Sequence, residues 1–246
     1  MTDVTNKIAF QGAQGAYSDL ACRGAYPDMD TLPCHTFEDT FASVHEGHAR
    51  LAMIPIDNSV AGRVADIHHL LPASGLHIIG EHFQRVDHHL LALPGTNINE
   101  LTHVHSHVHA LPQCRKVIRE LGLEPVVYAA TAAGAKMIAE QGEKTHAAIA
   151  SELAGEIYGL ESLRANIEDA EHNTTRFLIM TEEADFPRYD GSKWVTSFVF
   201  KVKNLPAALY KAMGGFATNS VNMTKLESYM VDGNFYAAQF YAEIEG

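Results

Sequence analysis

The stretch Lys7-Ile-Ala-Phe-Gln-Gly-Ala-Gln-Gly-Ala-Tyr-Ser18 places a short apolar run directly before a glycine-rich loop. Lys7 to Phe10 has the length and composition of a buried strand. The loop that follows, Gln11 to Ser18, begins where the strand ends. In an open α/β sheet, ligands bind outside the carboxyl ends of the strands. This opening stretch therefore predicts a fold class and also the edge of the sheet at which a ligand binds.

The order of strand and capped helix recurs along the chain. Thr36 is expected to cap a helix, because Asp39 follows three residues later and apolar residues recur at helical spacing. Ser151 is expected to cap another helix that follows a strand. The alternation predicts an α/β fold with a mostly parallel sheet. Other predicted strands are Arg50 to Ile56, two segments within Leu76 to Leu93, one ending near His105, Pro125 to Tyr128, Ala147 to Ala150 and Phe177 to Met180, with further helix caps at Asp57 to Ser59 and at Thr131.

The chain is expected to hold more than one domain. The two extended segments suggest a crossover between two lobes, near residues 80–95 and 168–176, within a domain that spans residues 1–183. The polar segment at 184–193 contains Pro187 and Gly191 and is interpreted as a linker. A strand, an amphipathic helix from Leu205 to Phe216 and two further strands follow, which gives a small β-α-β-β domain at 194–246.

Charge and cysteine content exclude several classes of protein. The 246 residues include 18 Lys and Arg and 30 Asp and Glu, for a net charge of −12 with histidines neutral. Such a charge disfavours binding to nucleic acid or to anionic membranes. Three cysteines without C-x-x-C spacing argue against a disulfide framework. The first residues do not resemble a signal peptide, and no apolar run approaches the roughly 20 residues that span a bilayer. We therefore expect a cytoplasmic protein.

The stretch His103-Val-His-Ser-His-Val-His109, with Cys114 soon after, raises the question of a metal site. Alternate residues of a strand point to one side. Because the strand is expected to end at Ser106, we expect that the four histidines do not share one face, and we predict no metal. The alternative is that this stretch forms one wall of a cleft for a small anion, with Ser106 and Gln113 as its working residues.

Four motifs together resemble the prephenate dehydratase family along essentially the whole chain. They are FQGAQGAYS near the start, PIDNSVAGRV at Pro55–Val64, SHVHALPQC at Ser106–Cys114 and NTTRF at Asn173–Phe177. The segment from Thr196 resembles the ACT regulatory domain that follows the catalytic domain in this family. The resemblance implies conversion of prephenate to phenylpyruvate without a cofactor. It also implies two periplasmic-binding-protein-like α/β lobes with the active site in the cleft between them, followed by a ferredoxin-like α+β domain.

The resemblance also assigns residues to roles. The essential threonine of the family falls on Thr175, and its cleft-lining residues fall on Asn58, Ser106 and Gln113. Asp57 stands where the family usually has glutamate, which places a direct role for this carboxylate in doubt. The predicted substrate-binding residues are Gly12, Ser18, Ser59, Gly62, His107, Thr131, Arg176 and Phe177, of which Arg176 is suited to holding a carboxylate through its bidentate fork.

The ACT-like segment implies that L-phenylalanine is an effector and that the protein is a homodimer or homotetramer. The predicted effector site comprises Ala207, Ala208, Leu209, Asn222, Glu227 and Ser228. Two departures from the family motifs, at Ala207 and at Tyr229-Met230, weaken the expectation of effector binding. The chain ends at Gly246, before the last helix and strand that a complete ACT fold would need, so this domain is expected to be incomplete.

Three alternatives remain open from the sequence. Arogenate, the transaminated relative of prephenate, could be the substrate. A two-lobed protein that only binds small anions would share the architecture. A histidine-based metalloenzyme is the third alternative, and retention of full activity after chelation would exclude it.

Overall fold

A computed structural model describes residues 6–185, 191, 193–230 and 237–245, apart from the side chains of residues 65, 66, 68, 237 and 238. The chain forms two compact units. The first comprises Met1–Leu70 and Ser74–Ala184, and the second comprises Leu71–Ala73 and Asp185–Gly246. Most of the predicted linker, including Pro187, lies outside the described residues.

Strands and helices alternate through most of the first unit. Its strands are β1 (Lys7–Gln11), β2 (Asp30–Cys34), β3 (Leu51–Asn58), β4 (Gly62–Arg63), β5 (His77–Arg85), β6 (His89–Ala92), β7 (His103–His107), β8 (Glu124–Tyr128), β9 (His146–Ala150), β10 (Glu161–Arg164) and β11 (Thr174–Thr181). Its helices are α1 (Tyr17–Ala25), α2 (Phe37–His45), α3 (Ala65–Leu70), α4 (Arg115–Glu120), α5 (Thr131–Gln141) and α6 (Glu152–Tyr158). Single 3-10 turns occur in this unit at Ile98–Glu100 and Leu111–Gln113, and a third, at Leu71–Ala73, belongs to the second unit.

Two sheets define two lobes within the first unit. The first sheet has the order β2-β1-β3-β11-β5, with β4 paired to β3, and the second has the order β10-β6-β9-β7-β8. In each sheet three strands are parallel, and the strands that lead to and from the other lobe are antiparallel. The prediction of two α/β lobes is confirmed. The prediction of mostly parallel sheets is wrong, because the crossover strands pair antiparallel with their neighbours.

Two short segments connect the lobes. The first crossover joins β5 to β6 through residues 86–88, and the second joins β10 to β11 through residues 165–173. Val86 N–H donates to the Asn173 carbonyl, and Ile167 N–H donates to the His88 carbonyl, so the two crossovers run side by side. One apolar core cluster contains residues from both lobes, including Phe10, Leu91 and Ala154. The lobes therefore share a hydrophobic contact in addition to the two crossovers.

Several helix ends that were predicted from capping residues are confirmed. Thr36 Oγ1 accepts a hydrogen bond from Asp39 N–H, and the Asp39 carboxylate accepts one from Thr36 N–H, which completes the predicted capping box of α2. Ser151 caps α6 by accepting from Ala154 N–H. Gly159 ends that helix in the left-handed region, with φ of 69°.

Other element predictions need correction. Asp57 and Asn58 end strand β3 and do not cap a helix, because β11 and β4 take their backbone groups into the sheet. Strand β7 continues through Ser106 to His107, because β8 pairs with it along its whole length. Thr131 is the first residue of α5, and Ala130 occupies the cap position.

The second unit is a small α+β structure. It contains β12 (Val195–Lys201), α7 (Ala208–Thr218), β13 (Asn222–Met230) and β14 (Ala237–Glu245). The antiparallel sheet has the order β12-β14-β13, with the last strand in the middle. This strand order is found in ferredoxin-like folds, and the described elements have the predicted β-α-β-β order. Helix α7 begins at Ala208, three residues later than predicted.

None of the described helices is both long and apolar enough to cross a membrane.

Candidate active site

The pairing of β3 with β11 brings together two residues that were predicted to act in the site. Thr175 lies opposite Asn58 in the antiparallel register. Asn58 Nδ2 donates a hydrogen bond of 2.9 Å to Thr175 Oγ1, across 117 residues of sequence. Strand β11 is the strand that returns from the second lobe, so the closed two-lobe topology creates this contact.

The side-chain amide of Asn58 has one defined orientation. The backbone N–H groups of Val60 and Ala61 lie 3.0 and 2.7 Å from Asn58 Oδ1. Since a backbone N–H can only donate, this atom is the oxygen and the nitrogen faces the opposite way. The two hydrogens on Nδ2 are then shared between Thr175 Oγ1 and Asn173 Oδ1, each 2.9 Å away.

The hydrogen-bonded chain continues into the second lobe through Gln113. Asn173 Nδ2 donates to Gln113 Oε1 at 2.7 Å. The same oxygen lies 3.1 Å from His88 Nε2. His88 Nδ1 lies 2.8 Å from the Tyr17 hydroxyl, which is also 2.7 Å from the Asp87 carbonyl oxygen.

Five segments of the first unit supply this polar network, which we define as Tyr17, Asn58, His88, Gln113, Asn173 and Thr175. They are the start of α1, the end of β3, the first crossover, the turn after β7, and the end of the second crossover with the first residues of β11. Backbone contacts hold two of the members in place. Glu168 accepts from His88 N–H at 2.9 Å, and Asp169 N–H donates to the Gln113 carbonyl at 2.6 Å.

Burial changes the acid–base properties of the network. Burial lowers the pKa of His88 below its usual value, while the hydrogen bond to Gln113 and the nearby carboxylates Glu168 and Asp87 act in the opposite direction. Burial raises the pKa of Tyr17, with smaller contributions from Cys114, Glu168 and Asp87, so its hydroxyl stays protonated. The network therefore contains a neutral phenol beside a histidine whose charge depends on its surroundings.

Arg176 lies outside the polar network. Successive residues of a strand point to opposite faces, so Arg176 and Thr175 are on different sides of β11. Its Nε lies 2.7 Å from a Glu81 carboxylate oxygen, and its Nη1 lies 4.0 Å from Asp57. Asp57 is thus part of this ion-paired face. A substrate-binding role for Arg176 stays a prediction, but in this structure its guanidinium already has carboxylate partners.

Two other predicted residues are buried away from any open surface. Phe177 is 1% exposed and belongs to the apolar core. Its predicted role in substrate binding stays a prediction. Ser106 is fully buried, and its hydroxyl donates to the Ile149 carbonyl at 2.6 Å. The residue lies within strand β7, and its side chain connects β7 to β9. Its predicted role in the cleft stays a prediction.

Ser59 and Gly62 support the loop that carries Asn58. Ser59 Oγ donates to the His172 carbonyl at 2.6 Å and accepts from Thr174 N–H at 2.9 Å. Gly62 pairs with Asn58 in the short β3–β4 hairpin and has φ of 84°, in the region that favours glycine. Both residues therefore position the loop against the start of β11.

The remaining predicted cleft residues form no hydrogen bond with the described members of the network. Gly12 has φ of 125° and donates its N–H to the Cys34 carbonyl in the first lobe. Ser18 lies in the first turn of α1, and Thr131 begins α5. The imidazole of His107 lies 5.2 Å from that of His109, centroid to centroid, and burial lowers its pKa. Their roles stay predictions.

The histidine-rich stretch is partly a surface cluster. His103, His105 and His107 lie at alternate positions of β7, so they share a face, contrary to the expectation that the strand ends at Ser106. His105 Nε2 lies 3.2 Å from His146 Nδ1 on β9. Within the described residues, no group of three or more His, Cys, Asp or Glu has the arrangement of a metal site.

The second unit contains a cavity of about 560 Å³ near the start of α7. Four of the six predicted effector residues line it, namely Ala207, Ala208, Leu209 and Ser228. Asn222 does not, because it lies at the other end of β13, where it bonds Glu245 at 2.9 Å. Glu227 is also absent from the lining and forms an ion pair with Lys225 at 3.3 Å.

Sequence reasoning missed three members of the polar network. Asn173 was part of a recognised motif without being assigned a role, and Tyr17 was part of the first glycine-rich loop. His88 gave no signal beyond its place between two extended segments. All three contact partners from distant parts of the chain, so local sequence contains little information about their environment.

Comparison with known proteins agrees with this architecture. Residues 8–185 match the family described as prephenate dehydratase. A bifunctional N-acyl-homoserine lactone acylase/prephenate dehydratase from Komagataeibacter europaeus is 55% identical over 239 residues, which cover 97% of this chain and 85% of that protein. The chloroplastic arogenate dehydratase/prephenate dehydratase 1 of Arabidopsis thaliana is 40% identical over 222 residues, 90% of this chain. These residues cover 56% of the plant protein.

A solved structure supports the same assignment. Prephenate dehydratase from Arthrobacter aurescens, determined in complex with L-Phe, is 28% identical and superposes with a TM-score of 0.88. The match covers 98% of this chain and 80% of that one. The family match and the two-lobed fold together identify a lyase of the dehydratase type. The chain belongs to the prephenate dehydratase family, which confirms the resemblance seen in its motifs.

Proposed function

We propose that this protein removes CO₂ and water from prephenate and thereby forms phenylpyruvate for the biosynthesis of L-phenylalanine. Membership of the prephenate dehydratase family supports the activity. The single observation that carries the proposal is the hydrogen bond between Asn58 and Thr175, which prepares a hydroxyl donor at the centre of the first unit.

The reaction requires help for one departing group. The bond between the ring and one carboxylate of prephenate breaks, and its electron pair enters the ring. The carbon–oxygen bond to the ring hydroxyl breaks at the same time, so the ring becomes aromatic. The carboxylate leaves as CO₂, and the hydroxyl leaves as water after it takes up one proton. A donor that binds the departing oxygen stabilises the charge that develops there.

Thr175 is suited to be this donor. Its Oγ1 accepts from Asn58, so its own hydrogen remains available for another acceptor. Within the described residues, no acceptor for this hydrogen is recorded. A threonine hydroxyl is a weak acid, so we assign it the role of a positioned hydrogen-bond donor. Asn58 acts as the positioning residue that sets the direction of this hydroxyl.

Gln113 offers a second donor group. Its Oε1 accepts from Asn173, which directs its Nε2 away from that contact. No acceptor for Nε2 is recorded in the part of the chain that the structure describes. We assign this amide to one of the oxygens of the substrate, beside the hydroxyl of Thr175.

The decisive experiment is a direct assay of the purified protein with prephenate, in which phenylpyruvate is followed by its absorbance in alkali. We expect turnover without an added cofactor and equal activity after dialysis against a chelator. Loss of activity on chelation would revive the histidine-based metal alternative. Binding of prephenate without turnover would instead support the small-anion binding protein.

Arogenate is the alternative substrate. The Arabidopsis relative carries both arogenate and prephenate dehydratase in its name. The product from arogenate is phenylalanine itself, so chromatography of amino acids distinguishes the two reactions. We expect a higher kcat/KM for prephenate, and the reverse ratio would change the substrate assignment.

We further propose that L-phenylalanine binds in the cavity of the second unit. In this proposal, the second unit is an ACT regulatory domain. The Arthrobacter relative was determined with L-Phe bound. The cavity of about 560 Å³ is large enough for an amino acid and includes four predicted effector residues. Inhibition of the prephenate assay by phenylalanine is the expected result.

The Komagataeibacter relative suggests a second activity. Its name combines prephenate dehydratase with N-acyl-homoserine lactone acylase, at 55% identity over 97% of this chain. We propose the acylase as a second candidate function. Release of free homoserine lactone from an N-acyl-homoserine lactone, detected by mass spectrometry, tests it independently of the prephenate assay.

Two broader expectations belong to the same proposal. A homodimer or homotetramer is expected, and sedimentation of the purified protein measures its mass. A cytoplasmic location is expected from the sequence, and cell fractionation with an antibody to the protein tests it.

A further inference from the structure

The hydrogen bonds of the polar network determine which ring nitrogens of His88 must bear a hydrogen. Asn58 is oriented by two backbone N–H groups, so each amide that follows it in the chain of hydrogen bonds is also oriented. Asn58 Nδ2 faces Asn173 Oδ1, and Asn173 Nδ2 faces Gln113 Oε1. Gln113 therefore presents an acceptor to His88 Nε2, 3.1 Å away, and this nitrogen must bear a hydrogen.

The other side of the imidazole has a similar constraint. The Tyr17 hydroxyl lies 2.7 Å from the Asp87 carbonyl oxygen, which can only accept, and 2.8 Å from His88 Nδ1. Burial keeps Tyr17 protonated, so it has one hydrogen to give. If this hydrogen goes to the carbonyl, then His88 Nδ1 must also bear a hydrogen and donate to Tyr17.

The neutral network is thus one hydrogen short. Three close contacts, at Nε2, at Nδ1 and between Tyr17 and Asp87, need three hydrogens. A neutral imidazole and a phenol supply two, whereas an imidazolium and a phenol supply three. In the neutral state, two acceptor atoms face each other at hydrogen-bond distance, which is unfavourable for buried groups.

We propose that His88 is a positioning residue that works as an imidazolium, held between Tyr17 and Gln113, and that it takes up its second proton as the substrate dianion binds. The proposal rests on the prephenate dehydratase function proposed above. The added positive charge offsets one of the two negative charges of the substrate, at a site where Arg176 is ion-paired with Glu81. The proton on Nε2 also locks Gln113 Oε1, and hence the orientation of Asn173.

The surroundings of His88 determine when it is protonated. The titratable groups that face it are Tyr17 from α1, Glu168 from the second crossover, and Asp87 and His89 from its own segment, with Cys114 beside Tyr17. Burial lowers the pKa of His88 in the free protein, and the carboxylates counteract this effect. A bound dianion adds further negative charge and raises the pKa of His88.

A pH profile tests the role in turnover. If the imidazolium is the active form, kcat/KM falls as pH rises through the pKa of His88 in the free protein. The corresponding fall in kcat occurs at higher pH, because kcat reports the substrate complex. His88→Gln keeps a donor near the Nε2 position without a titratable group, so the turnover that remains in this variant should lack this limb of the profile. His88→Leu should lose about 10²-fold in kcat.

The matched control is His89→Gln. His89 is the next residue, is also buried, and bonds Ser162 at 2.9 Å. It acts on the pKa of His88 through space but forms no hydrogen bond with the described members of the network. This variant should keep the pH limb of the wild type. Loss of the limb in both variants, or in neither, would overturn the assignment to His88.

The final test needs no substrate. The pKa of His88 is measured by ¹⁵N NMR in the free wild-type protein and in Tyr17→Phe, with His88→Gln identifying the signal. If Tyr17 accepts from the imidazolium, removing its hydroxyl lowers the pKa of His88. An unchanged or raised pKa would overturn the proposal. If instead this shift is found but prephenate is not converted, only the proposed function fails.

Discussion

At the scale of single residues, neighbours in the sequence have separate tasks. Thr175 and Arg176 are adjacent in the NTTRF motif, yet strand geometry places them on opposite faces of β11. Thr175 joins Asn58 and the polar network, whereas Arg176 joins Glu81 and lies near Asp57. Two consecutive residues of the motif therefore serve different faces of β11. Thr175 belongs to the polar network, and Arg176 belongs to the ion-paired face.

The hydroxyl of Thr175 can be tested by two substitutions of similar size. Thr175→Val removes the hydroxyl and keeps the branched shape, and we expect kcat to fall by about 10²–10³. Thr175→Ser keeps the hydroxyl bonded to Asn58 and should retain most of the activity. Steady-state kinetics with prephenate measures both. Comparable rates for the valine variant and the wild type would exclude Thr175 as the donor.

The orientation of the Asn58 side-chain amide can be tested through the stability of a variant. Asn58→Asp places a carboxylate where the hydrogens of Nδ2 now bind Asn173 and Thr175. Asn173 Oδ1 would then lose its donor and face a carboxylate oxygen, whereas the Thr175 hydroxyl could turn to donate to that carboxylate. We expect the free energy of unfolding to fall by about 1–3 kcal/mol. Denaturation by urea measures this loss, and the pH must be held above the range in which aspartate protonates. An aspartate variant as stable as the wild type would contradict the direction of the hydrogen bonds from Asn58 to Asn173 and Thr175.

The sequence identified the centre of the site but not its surroundings. Asn58, Gln113 and Thr175 lie in recognisable motifs, so they could be named without a structure. His88 and Tyr17 meet across 71 residues, and Asn173 meets Gln113 across 60. Such contacts depend on how two crossovers bring the lobes together, which local patterns do not encode.

At the scale of elements, a loop of the first lobe rests on a helix of the second. The carbonyl of Gly15 accepts from the Ser151 hydroxyl at the start of α6, and the Gln14 carbonyl accepts from the Tyr158 hydroxyl at 3.0 Å. Tyr17, which contacts His88, lies two residues beyond Gly15. The position of this loop on α6 thus determines the position of one end of the polar network.

Gly15 is required for this close approach. It has φ of 82°, and a Cβ at this position would lie 2.7 Å from the Cα of Ala154. We expect Gly15→Ala to lower the free energy of unfolding by about 2–4 kcal/mol, from backbone strain and overpacking together. Gly47→Ala is the matched control, because Gly47 has φ of 72° with no atom within 4 Å of an added Cβ.

The control isolates the contact between the lobes. Gly47→Ala should cost only the backbone strain, about 1–2 kcal/mol. Urea denaturation of both variants gives the difference. Equal losses would show that the approach of Gly15 to Ala154 can relax without cost.

Element prediction succeeded where the signal is local. The capping box of Thr36 and Asp39 and the cap at Ser151 involve residues three apart, and both form as expected. Asp57 to Ser59 resemble a cap in composition, but two strands compete for their backbone. Strand pairing is favoured over helix capping here because each pairing satisfies several backbone hydrogen-bonding groups at once. The strand β2 was missed because its sequence, Asp-Thr-Leu-Pro-Cys, has no clear alternation.

At the scale of the whole molecule, the polar network and the cavity lie in different units of the chain. The first unit contains the polar network, and the second contains a cavity with four predicted effector residues. Sequence could predict this division because a polar segment with Pro187 and Gly191 precedes a new pattern of strands. It could not predict that Asn222 and Glu227 are excluded from the cavity, since this depends on the register of β13 against β14.

Filling the cavity should separate regulation from turnover. Ser228 lines the cavity and lies on β13, and Ser228→Tyr places a ring in the space proposed for phenylalanine. We expect inhibition by phenylalanine to be lost, measured as the ratio of prephenate turnover without and with the effector. Thr224→Tyr is the matched control, because Thr224 lies on the same strand but not in the cavity lining. The control should respond to phenylalanine as the wild type does. A Ser228→Tyr protein that is still inhibited would show that phenylalanine acts at a different site.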